Sequence, residues 1–428
     1  MRTWKTLLIC ILPLVGGSFA ALSLTWGQES SSATPIKPAT LLVPMPAPIQ
    51  AEAGRANREL AKLTPLQQQM YLSAQRGADW LRRANRSDGR FIAGYVPALR
   101  TPLEGDHYLR QAGSAFAMAR AAGFFGDERM AAVARQAVLT LLLDTAPDAN
   151  DPQVRHTSLP SIIVNRLASA GLLVLAINQL PAPGEDLLEQ SEQLCAFIRK
   201  QQGPDGALSC ADSVQGELDP EALALYPGEA LYGLMCSQRR RPAEWKTEAV
   251  RGALTYYRSW WRGHKTMAFV PWQTGAYTEA YLLTREQPFA DFVTQMNDWI
   301  CGMQYQQLDP RHPLWVGGFM EWSDGKALAA PPQVGAAYFA EGLAEACRVA
   351  RRTGDGTRYQ RYRDALERTL QFVATLQYND GNTQHYADWY RPVLLGAFHA
   401  SHQDGNLRID YAQHALCALV GYLMTNGE

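Results

Sequence analysis

Three residues near predicted helix starts have the chemistry needed for acid–base catalysis. Glu229 follows Pro227-Gly228 and precedes an apolar run, so its carboxyl can face a lumen as a general acid or base. The alternative is a first-turn carboxylate that stabilises its own helix N-terminus. Asp410 and His414 are four residues apart and therefore share one helical face, as an acid/base or orienting pair. We predict that Glu229, Asp410 and His414 are the catalytic residues.

Polar and aromatic side chains recur at one level of several predicted helices and in one loop. Sugar hydroxyls need hydrogen-bond partners and sugar ring faces pack on aromatic rings, so this mixture is typical of a carbohydrate site. The helical residues that we predict to bind substrate are Arg110, Gln111, Tyr226, Gln273, Tyr277, Gln333 and Tyr411. The loop between 315 and 325 adds Trp315, Glu321 and Trp322, which we predict to form a wall for sugar rings.

A metal site is not predicted. His399, His402 and Asp404 lie close together in sequence, but no second ligand pair at helical spacing accompanies them, and there is no CxxC pattern. This segment is therefore interpreted as a solvated loop next to a helix. The sequence predicts neither a metal nor a cofactor.

The elements that must position these residues are helices. From Leu66 onward the apolar period is helical, and no stretch alternates well enough to build a sheet. A two-helix unit repeats, and its first helix ends at turns such as Asp88-Gly89, Asp205-Gly206 and Asn379-Asp380-Gly381. We expect these glycines to adopt positive φ. The second helices are rich in Ala and Gly, which allows close helix packing.

Twelve predicted helices form six hairpins. The first helices are predicted at 66–85, 127–143, 185–201, 243–261, 288–304 and 356–378. The second helices are predicted at 107–123, 160–179, 226–238, 271–284, 332–352 and 408–425. Six such hairpins can close into a ring with the second helices inside, and this closure removes the apolar ends of an open solenoid. An open superhelix is the alternative, but the unit length is not constant.

The helix ends resemble those of known α/α toroids. The segments Cys195-Ala196-Phe197-Ile198-Arg199-Lys200-Gln201-Gln202-Gly203-Pro204-Asp205-Gly206 and Phe372-Val373-Ala374-Thr375-Leu376-Gln377 are similar to the repeats of the six-hairpin-glycosidase-like and terpenoid-cyclase-like superfamilies. The resemblance covers nearly all of the chain after the N-terminal segment. It implies an all-α, (α/α)6 toroid whose inner helices line a central funnel, and it implies no particular reaction.

Tests for specific chemistries leave carbohydrate as the first candidate substrate. Neither DxDD nor DDxxD, the ionising motifs of terpenoid cyclases, occurs in the sequence, and neither does a GCGEQ thioester segment. We therefore predict a carbohydrate-active protein, glycoside hydrolase-like or a lyase or epimerase, acting in the funnel. The alternatives are a non-catalytic toroid that binds a glycan or peptide, and a cyclase-like toroid acting on lipid.

The N-terminal segment predicts export. Arg2 and Lys5 precede an apolar run and then small residues up to Ala20, so residues 1–20 are predicted to be a signal peptide that directs the chain to the periplasm, envelope or exterior. An uncleaved anchor is the alternative, because weak apolarity continues to Trp26. Residues 21–60 are predicted to be a disordered linker rich in Pro and Ser, and residues 61–428 the toroid domain.

Composition limits the range of partners. The formal net charge is -1 and no long Lys/Arg block occurs, so no nucleic acid partner is predicted. We expect a monomer with a carbohydrate ligand, and membrane contact only through an uncleaved signal segment. The cysteines in helical stretches are interpreted as small buried apolar residues. Cys195 and Cys210 are the one pair close enough in sequence to test for a disulfide.

Overall fold

Helices dominate the part of the chain that the computed structural model describes, which is residues 60–210 and 220–425. The predictions for the signal peptide and for the linker up to residue 59 lie outside these residues. The first six helices are α1 (Pro65–Ala84), α2 (Tyr108–Phe125), α3 (Glu128–Leu142), α4 (Arg166–Gln179), α5 (Glu185–Lys200) and α6 (Pro220–Arg240). They are followed by α7 (Glu244–Gly263), α8 (Val270–Thr284), α9 (Gln287–Gly302), α10 (Ala336–Thr353), α11 (Gly356–Thr375), α12 (Arg391–Leu394) and α13 (Ile409–Thr425).

Short strands occur only in the connections between helices within the described residues. They are β1 (Gly94–Val96), β2 (Thr101–Pro102), β3 (Thr145–Pro147), β4 (Arg155–Thr157), β5 (Glu321–Ser323), β6 (Lys326–Leu328) and β7 (Leu407–Arg408). All pairings are antiparallel: β3 with β4, β5 with β6, and a small sheet in the order β2-β1-β7. The last sheet joins the segments that precede α2 and α13.

The inner helices form a closed ring. Each of α2, α4, α6, α8, α10 and α13 packs against the next, and α13 packs back against α2. The helices α1, α3, α5, α7, α9 and α11 lie outside them. Short connections between each inner helix and the following outer helix make neighbours antiparallel, so the inner helices all run in the same direction. The predicted (α/α)6 toroid is confirmed, and an open superhelix is wrong.

Burial patterns explain which helices lie inside. Outer helix α3 buries one stripe, which includes Met130, Ala134 and Leu141, and leaves its other face to solvent. Inner helix α4 is buried without interruption from Leu167 to Asn178. A helix that is buried on all sides, such as α4, can pack between an outer helix and two inner neighbours.

Two of the predicted turn glycines have the expected conformation. Gly89 has φ of 85° and Gly206 has φ of 90°. Gly381 is not among the glycines with positive φ, and Gly396, with φ of 92°, takes this role in the last unit. The prediction for Gly381 was wrong because the Asn379 side chain accepts hydrogen bonds from the next backbone N–H groups and turns the chain itself.

Three helix starts differ from expectation, and the question of a Cys195–Cys210 disulfide is answered. Inner helix α4 begins at Arg166 rather than 160, because the Asn165 side chain caps it by accepting from Ala168 N. Helix α6 begins at Pro220 rather than 226, and α10 begins at Ala336 rather than 332. The sulfurs of Cys195 and Cys210 are both free and buried. No helix within the described ranges is long and apolar enough to span a bilayer.

Candidate active site

Each inner helix directs one stripe of residues toward the centre of the ring. On α10 these are Tyr338, Glu341, Glu345 and Arg348, at spacings of three, four and three residues. On α13 they include Asp410 and His414. Side chains in these stripes contact residues of other inner helices rather than the outer ring. Rotation of a helix about its axis therefore decides which predicted residues can meet a ligand.

An aromatic layer fills the middle of the ring. It consists of Phe116, Tyr232, Trp272 and Tyr338, one each from α2, α6, α8 and α10. Phe116 and Trp272 come from opposite helices, yet their ring centroids are 6.2 Å apart. Tyr232 is 6.2 Å from Trp272, and Tyr338 is 5.9 Å from it. The layer divides the lumen into a mouth at the helix N-termini and a floor at their C-terminal halves.

The floor is an ion-pair network. It joins four inner helices through Arg120, Arg239, Glu279, Glu345 and Arg348, with nitrogen–oxygen distances of 2.6–3.3 Å. Burial alone would raise the pKa of Glu345, but Arg348 and Arg120 outweigh it and lower that pKa. The Glu279 and Glu345 side chains are only 4% and 5% exposed. Both carboxylates are fixed by cations, so the floor is a structural seal.

On the mouth side of the aromatic layer, a histidine is bound to a buried carboxyl. His414 Nδ1 lies 2.6 Å from Glu341 Oε1, and the two side chains are 22% and 9% exposed. Burial lowers the pKa of His414, but Glu341 reverses this and the net effect is a raised pKa. Nε2 of His414 has no hydrogen-bond partner among the described residues. Glu341 thus fixes the imidazole while its other nitrogen stays available for proton transfer.

Glu229 supplies a second titratable group at this level. Its side chain is buried, Oε2 has no hydrogen-bond partner within the described residues, and burial raises its pKa to about 8. The preceding Gly228 packs against Trp272, where a Cβ would lie only 2.6 Å from that residue's Cβ. Burial raises the pKa of the Tyr338 phenol, and the nearby charge of Glu229 raises it further. A neutral carboxyl in this position can donate a proton near neutral pH.

Tyr338 connects the two groups. Its ring centroid lies 4.9 Å from that of His414, and its hydroxyl donates to the Ala268 carbonyl at 2.8 Å. Since the charge of Glu229 acts on the same phenol, the predicted catalytic residues Glu229 and His414 both lie near this one aromatic residue.

Asp410 has a different environment from the one predicted. Arg408 donates to both carboxylate oxygens, one of them at 2.9 Å from Nε, and Arg110 Nε lies 3.6 Å away. Burial raises the pKa of Asp410, but the hydrogen bonds and charge of Arg408, with the charge of Arg110, lower it overall. Tyr411 lies under the Arg408 guanidinium, 4.5 Å from its ring centroid. An aspartate fixed in this way is suited to hold arginines and poorly suited to exchange protons.

Three residues predicted to bind substrate have their side chains elsewhere. The amide of Gln111 is bonded to both the N–H and the carbonyl of Phe91, at 2.7 and 2.8 Å. Tyr277 packs on Phe289 of outer helix α9, with ring centroids 5.9 Å apart. Gln273, four residues earlier, is fully buried and shares this outward stripe. These positions do not fit ligand contact, because each side chain is turned from the lumen.

The remaining predicted residues lie around the mouth. Tyr226 is half-buried on α6, one turn before Glu229. Glu321, Trp322 and Gln333 line a rim pocket of about 340 Å³ between the 319–335 segment and the start of α10. Trp315 lies outside that pocket and stacks on His312. The predicted aromatic wall is therefore divided between two surfaces.

Sequence reasoning missed Glu341 and the aromatic layer. A signal for Glu341 existed, because charged residues at spacings of four and three in an otherwise Ala-rich inner helix mark a buried polar stripe. Trp272 directly precedes the predicted Gln273, and Tyr338 lies five residues after the predicted Gln333. The prediction therefore found the right part of each helix but not the side of the helix that faces the lumen. No group of three or more His, Cys, Asp or Glu residues that could hold a metal occurs in the described ranges.

Comparison with known proteins supports the fold. No protein-family model matches the chain, and no curated protein matches its sequence. Among solved structures, an unsaturated glucuronyl hydrolase specific for heparin aligns with 14% identity over 84% of this chain and 98% of its own, at a TM-score of 0.57. A D-mannose isomerase aligns with 11% identity over 84% and 99%, at a TM-score of 0.60.

A third structure, the GH76 α-mannanase of Bacteroides thetaiotaomicron, aligns with 9% identity over 84% of this chain and 97% of its own, at a TM-score of 0.53. These proteins are six-hairpin glycosidase-like α/α toroids. The chain has their fold, as the resemblance of its helix ends predicted.

Proposed function

We propose that the chain is an exported, carbohydrate-active enzyme, glycoside hydrolase-like, that performs acid–base catalysis at the mouth of its toroid. The observation that carries this proposal is that two titratable groups neighbour Tyr338: the buried Glu229 carboxyl, whose pKa is raised to about 8, and the imidazole of His414, which is bound to Glu341. Proximity of a proton donor and a proton acceptor above a closed aromatic layer is what bond cleavage with proton transfer requires.

For glycoside hydrolysis the two groups have complementary roles. The Glu229 carboxyl donates its proton to the glycosidic oxygen, and the bond from that oxygen to the anomeric carbon breaks with its electron pair remaining on the oxygen. His414 Nε2 takes a proton from the water that attacks the anomeric carbon. Proton exchange with solvent then restores both groups. Glu341 holds the imidazole and stabilises its positive charge after proton transfer.

The structural neighbours give further support to this assignment. The glucuronyl hydrolase, the mannose isomerase and the mannanase of the same fold are carbohydrate-active by their names. Lyase or epimerase chemistry would use the same pair, with His414 removing a proton from a sugar carbon. Export rests on the N-terminal sequence pattern, and secretion of the full chain with mass analysis of its N-terminus tests it.

The test of catalysis is a screen of the full-length protein against envelope and plant polysaccharides for release of reducing sugar. We expect release by the wild type and a loss of at least about 100-fold in Glu229→Gln and in His414→Gln, in the range of general acid–base effects. Glu286→Gln is the matched control, because this carboxylate pairs with Arg251 on the outer surface. Activity should rise as His414 loses its proton and fall above about pH 8 as Glu229 ionises.

A non-catalytic glycan-binding protein would give a different result. No polysaccharide would release reducing sugar or unsaturated product, while glycan binding would persist unchanged in Glu229→Gln. That combination would overturn the catalytic proposal.

A further inference from the structure

We infer that the mouth recognises an acidic sugar, whose carboxylate is bound by Arg110. This inference rests on the proposed function and specifies its substrate class. It starts from the junction of α2 and α13, where Arg110 and Arg408 share the carboxylate of Asp410. Arg408 is the closer partner, so the guanidinium of Arg110 is only partly paired.

The local structure holds this group in place. Strand β7 contains Arg408 and pairs with β1, with Gly94 opposite Arg408. A Cβ at Gly94 would lie 1.9 Å from the Leu407 carbonyl oxygen, so the strands approach as closely as only glycine allows. Arg408 is then fixed on two sides, by both oxygens of Asp410 and by the ring of Tyr411.

Arg110 is the cation with capacity left for a ligand. Its only ion-pair contact within the described residues is from Nε to Asp410, at 3.6 Å. Its side chain is 32% exposed, and its two terminal nitrogens have no hydrogen-bond partner among those residues. A planar carboxylate can accept two parallel hydrogen bonds from such a guanidinium. The N-terminal ends of α2 and α13 add further positive potential at this point.

Spacing relates this site to the catalytic pair. Asp410 and His414 are one helical turn apart on α13, which corresponds to about 5.4 Å along the axis. A carboxylate on Arg110 would therefore lie about one turn nearer to solvent than the imidazole. A sugar that carries a carboxyl group at one side of its ring can bridge the two levels. Uronic acid residues have this form, and neutral hexoses have no group that uses the cation.

The experiment measures binding of the full-length protein to the trisaccharides of galacturonate, glucuronate and mannuronate by calorimetry. Each is compared with its carboxyl-reduced, neutral counterpart. We expect at least one acidic trisaccharide to bind at least about tenfold more tightly than its reduced form. Arg110→Gln should remove this difference, and Arg110→Lys should restore only part of it because an ammonium does not form the paired contact. The control is Arg363→Gln, whose partner is Glu367 on outer helix α11.

Outcomes for the inference and for the proposed function can be separated. Equal binding of acidic and reduced trisaccharides, an unchanged preference in Arg110→Gln, or no binding of any acidic trisaccharide overturns the inference. A neutral polysaccharide cleaved in a Glu229-dependent way would overturn it too, while leaving the proposed function intact. Preference for sulfated over carboxylated sugars, tested with a sulfated trisaccharide, would also contradict it.

Discussion

The two ends of the inner ring contain similar residues in opposite states. At the floor, Glu279 and Glu345 each contact two arginines and are almost fully buried. At the mouth, Glu229 has an unpartnered oxygen and His414 keeps a nitrogen without a partner among the described residues. Buried charge in a toroid is therefore no guide to function by itself. What distinguishes the candidate site is the incomplete pairing of its titratable groups.

The largest effect is expected from breaking the floor. Arg348→Met leaves Glu279 and Glu345 short of a cation in a buried setting, so the free energy of unfolding should fall by about 3–5 kcal/mol. Chemical denaturation measures this. The control Arg311→Met removes a side chain that is 82% exposed, and its cost should stay below about 1 kcal/mol. A loss of less than 1 kcal/mol in Arg348→Met would contradict the description of the floor as a seal.

A smaller effect, specific to the mouth, concerns pH. The Glu229 carboxyl has an ordinary pKa near 4.5 when unfolded and about 8 when folded, so the folded state binds the extra proton between these values. Stability from this group is complete below pH 4.5 and is lost as pH rises through about 8. Between pH 5 and 8 the free energy of unfolding of the wild type should fall by about 3 kcal/mol relative to that of Glu229→Gln. Chemical denaturation of both proteins at a series of pH values measures this difference.

The control for this pH experiment is Glu286→Gln. Arg251 lowers the pKa of Glu286, so this carboxyl is ionised in both states above pH 5.5 and the variant should keep the wild-type pH dependence. If the free energy of unfolding depends on pH in the same way in wild type and Glu229→Gln, the raised pKa of Glu229 is contradicted.

The smallest effects are expected at two glutamines that we predicted to lie at the same level of the inner ring. Gln111→Leu leaves the buried N–H and carbonyl of Phe91 without partners and should cost about 2–3 kcal/mol. Gln273→Leu removes two amide atoms that have no partner in the described part of the chain, so it should be neutral or stabilise by about 1 kcal/mol. Thermal unfolding of both variants tests the contrast, and a large loss in Gln273→Leu would contradict it.

The architecture could be derived from the sequence because it depends on local patterns. Inner helix 408–425 was predicted within one residue of Ile409–Thr425, since apolar periodicity and the preceding polar loop both mark its start. The closed ring followed from the number and composition of the hairpins. The exceptions were local: a side-chain cap at Asn165 shortened α4, and an Asn379 turn replaced the expected glycine.

The site was only partly accessible by the same reasoning. Aligning helix starts gives the height of a residue in the ring but does not give the rotation of its helix. Glu229 and His414 lie near Tyr338 of the aromatic layer, whereas Tyr277, five residues after Trp272, packs on outer helix α9. The partner of His414 on α10, Glu341, is 73 residues away in sequence and is brought near only by ring closure.

The aromatic layer has a consequence for how a polymer would be handled. Because Phe116 and Trp272 meet across the lumen, a chain cannot thread through the ring and leave by the other end. If the toroid acts on a polymer, as proposed, substrate and products must therefore enter and leave by the same mouth.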